Sequence, residues 1–484
     1  MTAERLKFPE SRPLDAAEVK LLEAVNAGQI ADYRPFIAFG TAPLQVEHWD
    51  DSRTIPAGAI LGIIRGTTPG LRLTPAGLRI AGARIAGELQ LASVHFPYPL
   101  ELIGCRVDSP IVLEGAKIDC LNLTGSRIGR MNADSLELSS GVFLNNGFVA
   151  EDAVCLRRAR IGGDLSCAGG KLDHPERLAL DAEDAEIGGH VLLSNGLTVN
   201  GQVNFTDAKV GGLFYCAHSL LENPGRKALT MDRAQFASDM IFSNGFKVRG
   251  EVNCIGATIT RLLYFNNCSL DNSEGRALTA DGVRIGADAL LGNWFYARGE
   301  VRLRDALIGG NLRCVGGAFD NPGGVAMRLE RAQVIGSIHM HTRFLANGAV
   351  QLDQATVGGS LLGSGGSFQN GRGVAISLRG AKIKGKVVLS NGFRARGAVV
   401  LDQSELGELI CSEGRFENPG GIALSADKTL VAANVLLNDG FRSLGRVNLE
   451  TASMGGELDC ADGTFEQAGD GFVTRVSKPT IRGE

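Results

Sequence analysis

Aromatic residues are scarce in this 484-residue chain, only 6% of it, and just two of them are tryptophan. Several conventional globular cores are therefore not expected. A basic excess is missing too: 49 Lys and Arg face 53 Asp and Glu, a net charge of −4. That speaks against a nucleic-acid binder, which needs a basic footprint to neutralise phosphates, and equally against an acidic mimic of DNA. No run of 18 apolar residues occurs, and the opening MTAERLKFPESRPLD carries charges where a signal peptide has its apolar segment. A cytoplasmic protein is expected. The ten cysteines include no C-x-x-C pair, and in a large chain with no export signal they read as reduced thiols. Glycine, by contrast, is abundant: 65 residues, about twice the usual share of about 7%, which points to many tight corners.

Self-alignment shows why. From about residue 135 the chain repeats every 49 residues, occasionally 48. One column reads Phe148, Leu197, Phe246, Phe295, Phe344, Phe393, Phe441; another reads Cys167, Cys216, Phe265, Cys314, Gly363, Cys411, Cys460. Each unit divides again, because IGGHVLLSNGL (187–197) aligns on VGGLFYCAHSL (210–220) 23 residues later, and the next equivalent follows after 26. The extra residues fall in Asn-Pro-Gly segments such as DNPGG (320–324) and ENPGG (417–421), which have turn chemistry.

Apolar residues alternate with period two in short runs, and glycine interrupts too often for helices. Equal spacing of like side chains places like over like in neighbouring coils. The fold predicted is all-β: a parallel β-solenoid, or β-helix, right-handed by the usual rule for parallel crossovers, with coils of about 23 and 26 residues. A three-sided coil suits that length. Seven two-coil repeats are expected from about residue 135, with less regular coils over 76–134. Residues 1–75 are read as a helical N-terminal cap, with a capping box from Asp15 to Glu18 and a second helix started by Pro56. The last coil carries no capping element, so an open C-terminal end is expected to meet a partner.

GLRIAGARIAGELQL and the IGG-x-L and Asn-Gly-Phe units resemble pentapeptide-repeat-like proteins, whose solenoid is four-sided, and more broadly a set of uncharacterised bacterial β-solenoid proteins, some labelled membrane-associated oxidoreductases. The resemblance implies a fold and transfers no functional residue.

Function is sought on the outward positions. The middle residues of the triplets Val191-Leu192-Leu193, Phe214-Tyr215-Cys216 and their equivalents alternate outward. They read Phe143, Ser166, Leu192, Tyr215, Ile241, Tyr264, Leu290, Arg313, His339, Leu362, Val388, Ile410, Leu436, Asp459. Equivalent positions on the other two expected strands, Asn204, Asn253, Arg302, Gln351, Val400, Asn448 and Asp181, Thr230, Thr279, Arg328, Ser377, Ser425, are mostly polar. One apolar stripe, Phe143, Leu192, Tyr215, Ile241, Tyr264, Leu290, Leu362, Val388, Ile410 and Leu436, is thus expected on an otherwise wet surface, and such a stripe marks an interface. Its occupant is expected to be a protein partner, a second copy or the chain's own N-terminal segment; a membrane surface is disfavoured because no basic rim accompanies it. The chain is expected to be a non-enzymatic scaffold.

The chemical alternatives are thinner. Asp353, Asp402 and Glu450 form a column whose members lie two coils apart, ~10 Å from the strand spacing, near the upper limit of the separation an inverting glycoside hydrolase uses; this makes a glycan-active β-helix enzyme the competing reading. The cysteine column is too widely spaced for a zinc site. His339 and His341 alternate onto one face without a third ligand, so no metal and no cofactor are implied. GSGGS (363–367) lacks the strand-to-helix context of a phosphate loop. Asn146, Asn195, Asn244, Asn293 and Asn391 are read as turn residues in left-handed conformation. Arg302, Arg304, Arg313, Arg328 and Arg331 could gather an anion or an acidic partner.

Overall fold

The structure, a computed structural model, describes residues 14–34, 51–466, 474–475 and 480–481. It is a parallel β-solenoid of about 17 turns with two α-helices among the described residues. Its packing separates two compact units, Met1–Asn223 with Ala228–Thr230, and Pro224–Lys227 with Met231–Glu484.

In the first unit a single coil is spelled out by four short strands, Glu137–Leu138, Val142–Phe143, Val149–Ala150 and Val154–Cys155. Each pairs in parallel with the next coil: Leu138 with Ile161, Phe143 with Ser166, Val149 with Lys171, Val154 with Leu180. The coil therefore has four sides, not the three that its length suggested. Its corners explain the difference. In the coil that starts at Glu186, left-handed residues at Asn195, Gly196, Gly201 and Asp207 turn the chain abruptly, so the sides stay short. One large inward residue falls on each side, at Ile187, Leu193, Val199 and Phe205, none more than 2% exposed.

The corner between the first and second sides is the Ile-Gly-Gly motif, and close stacking of coils dictates both glycines. A Cβ on Gly188 would sit 2.4 Å from the Gly162 carbonyl oxygen, and one on Gly189 would sit 2.2 Å from Oδ1 of Asp164. That Asp164 oxygen accepts the His190 N–H at 2.7 Å. The second glycine thus makes room for a side chain that satisfies a backbone donor of the next coil.

At the start of this unit, α1 (Ala16–Asn26) carries the expected capping box: Asp15 accepts from the Glu18 N–H at 2.8 Å, and Glu18 accepts from the Asp15 N–H at 3.0 Å. Its Leu21, Leu22 and Val25 are buried, and the helix packs against Ala31–Asp32, Thr54–Pro56 and Leu78–Ala81. The second helix, α2 (Ala57–Ile64), follows Pro56 as its N-cap. Parallel stacking begins before residue 76, with Ala31 opposite Ile80 and Ile55 opposite Ile85.

The second unit is organised around phenylalanine. Rings follow one another at 4.4 Å between Phe242 and Phe265, then at 5.0–5.5 Å through Phe295, Phe319, Phe344, Phe368, Phe393, Phe416, Phe441 and Phe465. Register makes this possible: Phe319 lies opposite Ala346, and Phe368 opposite Ala346 and Ala395, so successive rings are offset and a ring meets a small residue in register. Gly317, Gly366, Gly414 and Gly463 complete the fit. A Cβ on any of them would lie 2.5–2.6 Å from the carbonyl oxygen of Leu291, Met340, Leu389 or Leu437.

The long corner is held by one recurring bond. The side-chain amides of Asn272, Asn321, Asn370 and Asn418 donate to the carbonyls of Arg276, Val325, Val374 and Ile422, each at 2.8 Å. In the first unit Nδ1 of His174 lies 2.9 Å from the Leu178 carbonyl oxygen, taking the same position.

Candidate functional site

The outward file on the second side is built by strict alternation. Val387 and Leu389 are 0% exposed with half-exposed Val388 between them, and Leu409 and Cys411 are 0% exposed around half-exposed Ile410. In the first unit Phe143, Ser166, Leu192 and Tyr215 occupy successive coils. In the second the file runs Ile241, Tyr264, Leu290, Arg313, His339, Leu362, Val388, Ile410, Leu436, Asp459. Its longest unbroken apolar stretch is Leu362, Val388, Ile410 and Leu436. Arg313 interrupts it and pairs with Asp288 at 2.9 Å. Beside the file, on the first side, runs a shallow groove of about 490 Å³ lined by Lys382, Glu405, Leu406 and Leu430 among others.

The polar surface differs from expectation. The two polar series are alternate coils of one ladder: Asp181, Asn204 and Thr230 stand in register in the first unit, and Asn253, Thr279, Arg302, Arg328, Gln351, Ser377, Val400, Ser425 and Asn448 in the second. Nor is this ladder simply wet. Asp181, Asn204, Thr230, Asn253, Thr279, Ser377 and Ser425 are buried; Asn204 donates to Asp181 at 2.9 Å, whereas Asn253 Oδ1 and Gln351 Oε1 are buried without a hydrogen-bond partner.

Asp353 and Asp402 belong to the system that closes this ladder's corner. Oδ1 of Asp353 accepts from the Ser377 hydroxyl and from the Arg379 N–H at 3.0 Å. Oδ1 of Asp402 accepts from the Ser425 hydroxyl at 2.6 Å and from the Asp427 N–H at 3.0 Å. Asp232 and Asp281 accept the N–H groups of Ile255 and Arg304 in the same manner. At Glu450 the backbone N–H donates to Asn448 Oδ1 at 3.2 Å. The column is therefore occupied by backbone donors at Asp353 and Asp402, one oxygen each.

The arginines are likewise committed. Arg302 pairs with Asp281, Arg304 with Glu330 at 3.1 Å, Arg328 with Glu300 at 2.6 Å and Glu330 at 2.7 Å, and Arg331 with Asp305 at 2.7 Å. The Arg331 guanidinium holds the Asp305 carboxyl below its usual range. His339 and His341 meet at 3.3 Å, Nδ1 to Nε2. Burial, with Arg313 and His341 adding to it, lowers the His339 pKa and keeps that ring neutral. No cluster of three or more metal-binding side chains occurs among the described residues. None of the ten cysteines is in a disulfide; burial pushes the Cys167 and Cys254 thiols up to about 12, which removes them as nucleophiles. GSGGS lies within a coil, leading into the strand Ser367–Ser377.

Two features escaped the sequence reading. One is a relay at the Ile-Gly-Gly corner: Asp288 accepts the Asn311 N–H at 2.7 Å, Asn311 the Ser337 N–H at 2.9 Å, Ser337 the Ser360 N–H at 3.0 Å and Ser360 the Lys386 N–H at 3.0 Å. The other is that the most exposed large apolar side chains among the described residues, Trp294, Ile335 and Leu430, are outside the stripe. The open C-terminal coil lies outside the described residues apart from Thr474–Arg475 and Thr480–Ile481, which pair with Val447–Asn448 and Ser453–Met454. No helix among the described residues is long and apolar enough to cross a membrane. No protein family, curated protein or solved structure matches the chain.

Proposed function

We propose that this protein is a non-enzymatic scaffold of the bacterial cytoplasm whose outward apolar file is a contact surface for another protein or for a second copy of the chain. The observation that carries this reading is the run Leu362, Val388, Ile410 and Leu436, four successive coils presenting an apolar side chain outward in register. An isolated exposed apolar residue needs no explanation, whereas a contiguous line of them on a rigid ladder favours association. The groove at Leu406 and Leu430 widens that surface. Cytoplasmic residence is supported by ten cysteines with no disulfide among them, a pattern of reducing compartments. The competing enzyme reading is weakened because Asp353 and Asp402 each spend an oxygen on the next coil's backbone.

The test is light scattering after gel filtration, together with affinity capture, on the full chain and on the double variant Val388→Ser/Ile410→Ser. Association or capture by the parent chain, lost in a variant with unchanged far-UV circular dichroism, supports the proposal. A monomeric parent chain whose captured proteins are the same as the variant's overturns it.

A further inference from the structure

The corner after the second side repeats a left-handed pair, Asn146–Gly147 and Asn195–Gly196 in the first unit, Asn244–Gly245, Asn391–Gly392 and Asp439–Gly440 in the second. Asn293–Trp294 and Thr342–Arg343 depart from that pattern. Trp294 has φ 71°, a left-handed conformation unfavourable for an L-residue, and it is 75% exposed. Packing does not ask for this ring: at Gly147, Gly196, Gly245, Gly392 and Gly440 an added Cβ has nothing within 4 Å. The backbone holds the corner without it, through Asn293 N–H to the Val315 carbonyl at 2.8 Å and Trp294 N–H to the Gly316 carbonyl at 3.3 Å. The non-glycine conformation recurs at Arg343 in the next repeat, so what singles out this corner is the solvent-facing indole ring.

The neighbours give the ring a context. Tyr296 opens the third side and is 39% exposed; in register with it come Ala318 and then Leu345, also 39% exposed. The next outward column on that side reads Arg249, Asp271, Arg298, Asp320, Asn347 in successive coils. Its charges alternate, so it carries no net field. The Tyr296 hydroxyl donates to Asp320 at 3.3 Å, and Asn347 donates to the other Asp320 oxygen at 2.8 Å. A shallow groove of about 340 Å³, lined in part by Arg249, Asp271, Asn272 and Glu274, lies on this column.

We infer that this face binds a neutral glycan, with a pyranose ring stacked on Trp294 and Tyr296 and its hydroxyls bonded along the column of Asp271, Arg298 and Asp320. A sugar ring has one apolar C–H face and an edge of hydroxyls that need donors and acceptors together, and here aromatic rings stand beside carboxylates, an amide and guanidinium groups. Binding sites of this kind combine apolar surface with a few placed polar groups. A phosphorylated or sulfated ligand would require a cationic column, and an apolar peptide would require contiguous apolar area beyond Trp294, Tyr296 and Leu345. This surface is separate from the apolar file and does not depend on it.

Trp294→Gly is the decisive variant because it restores the Asn-Gly pair of the other coils and so keeps the fold. Titration calorimetry and tryptophan emission, with Trp49 the one other tryptophan, would be run on the full chain with soluble hexamers of β-1,4-glucose, α-1,4-glucose, β-1,4-mannose and β-1,4-N-acetylglucosamine, and with a sulfated hexamer as contrast. The expected result is binding of at least one neutral hexamer with a change in emission, weakened at least tenfold in Trp294→Gly and in Tyr296→Ala, while the melting temperature of Trp294→Gly is equal to or above that of the parent. The proposal is overturned if no neutral hexamer binds at millimolar concentration, if Trp294→Gly binds as the parent does, or if the sulfated hexamer binds most tightly.

Discussion

Phe368 is the residue on which the packing of the second unit can be tested most directly. It is 0% exposed, and its ring lies 5.0 Å from Phe344 and 5.3 Å from Phe393. Truncation to Ala should cost about 3–5 kcal/mol for transfer and cavity together. The residues in register with it, Ala346 and Ala395, have no side chain long enough to fill the hole, and two ring contacts of about 0.5–1.5 kcal/mol each are lost. Both facts place the cost in the upper part of that range. Urea denaturation followed by far-UV circular dichroism reads it, with Phe368→Leu as a milder companion. A cycle with Phe344→Ala should be non-additive, because the two rings touch, whereas Phe265→Ala, several coils away, should add to Phe368→Ala within about 0.5 kcal/mol. A loss below about 1.5 kcal/mol for Phe368→Ala, or additivity with Phe344→Ala, would refute the continuous ring column.

Other outcomes follow from the corners and the thiols. Gly366→Ala, whose Cβ would lie 2.5 Å from the Met340 carbonyl oxygen, should destabilise by about 1–3 kcal/mol as an overpacked site. Gly392→Ala meets only its φ of 82° with open space around it, and the strain of about 1–2 kcal/mol is partly offset by a less flexible unfolded chain; equal losses at the two glycines in urea melts would contradict the stacking described. For Cys167, burial raises the thiol from 9.0 to about 12. The native state keeps a proton that the unfolded state releases, so its contribution is complete below pH 9 and declines through the window 9–12 by about 1.4 kcal/mol per pH unit. Cys167→Ala should therefore flatten the alkaline fall in stability, and an unchanged slope above pH 9.5 would count against a buried thiol. Asp353→Ala leaves the buried Ser377 hydroxyl without its acceptor and should cost about 1–3 kcal/mol in a thermal melt, the exposed Arg379 N–H turning to water instead; a variant as stable as the parent would reopen a chemical role for that carboxylate.

Much of this protein could be read from its sequence, because a stacked coil repeats every constraint. Val387, Val388 and Leu389 alternate as the triplet pattern implied, and the asparagine column is left-handed at every member, including Thr342 and Asp439, which interrupt it in sequence. The capping box of Asp15 and Glu18 is local chemistry and forms as written. Such features depend on a residue and its near neighbours along the chain, and those are visible in one dimension.

What only the tertiary structure decided concerns relations between coils. The 23-residue spacing counts residues without locating corners, so it could not separate three sides from four until Asn195, Gly201 and Asp207 took their left-handed conformations. Asp353 and Asp402 had a catalytic spacing in sequence, yet the coil that follows each supplies the N–H that occupies it. The two polar series became one partly buried file for the same reason: register between coils sets which side chains meet. Periodicity determined that this chain stacks, and the hydrogen bonds and close contacts between stacked coils determined which residues, Leu362 to Leu436 and Trp294 among them, are left facing outward.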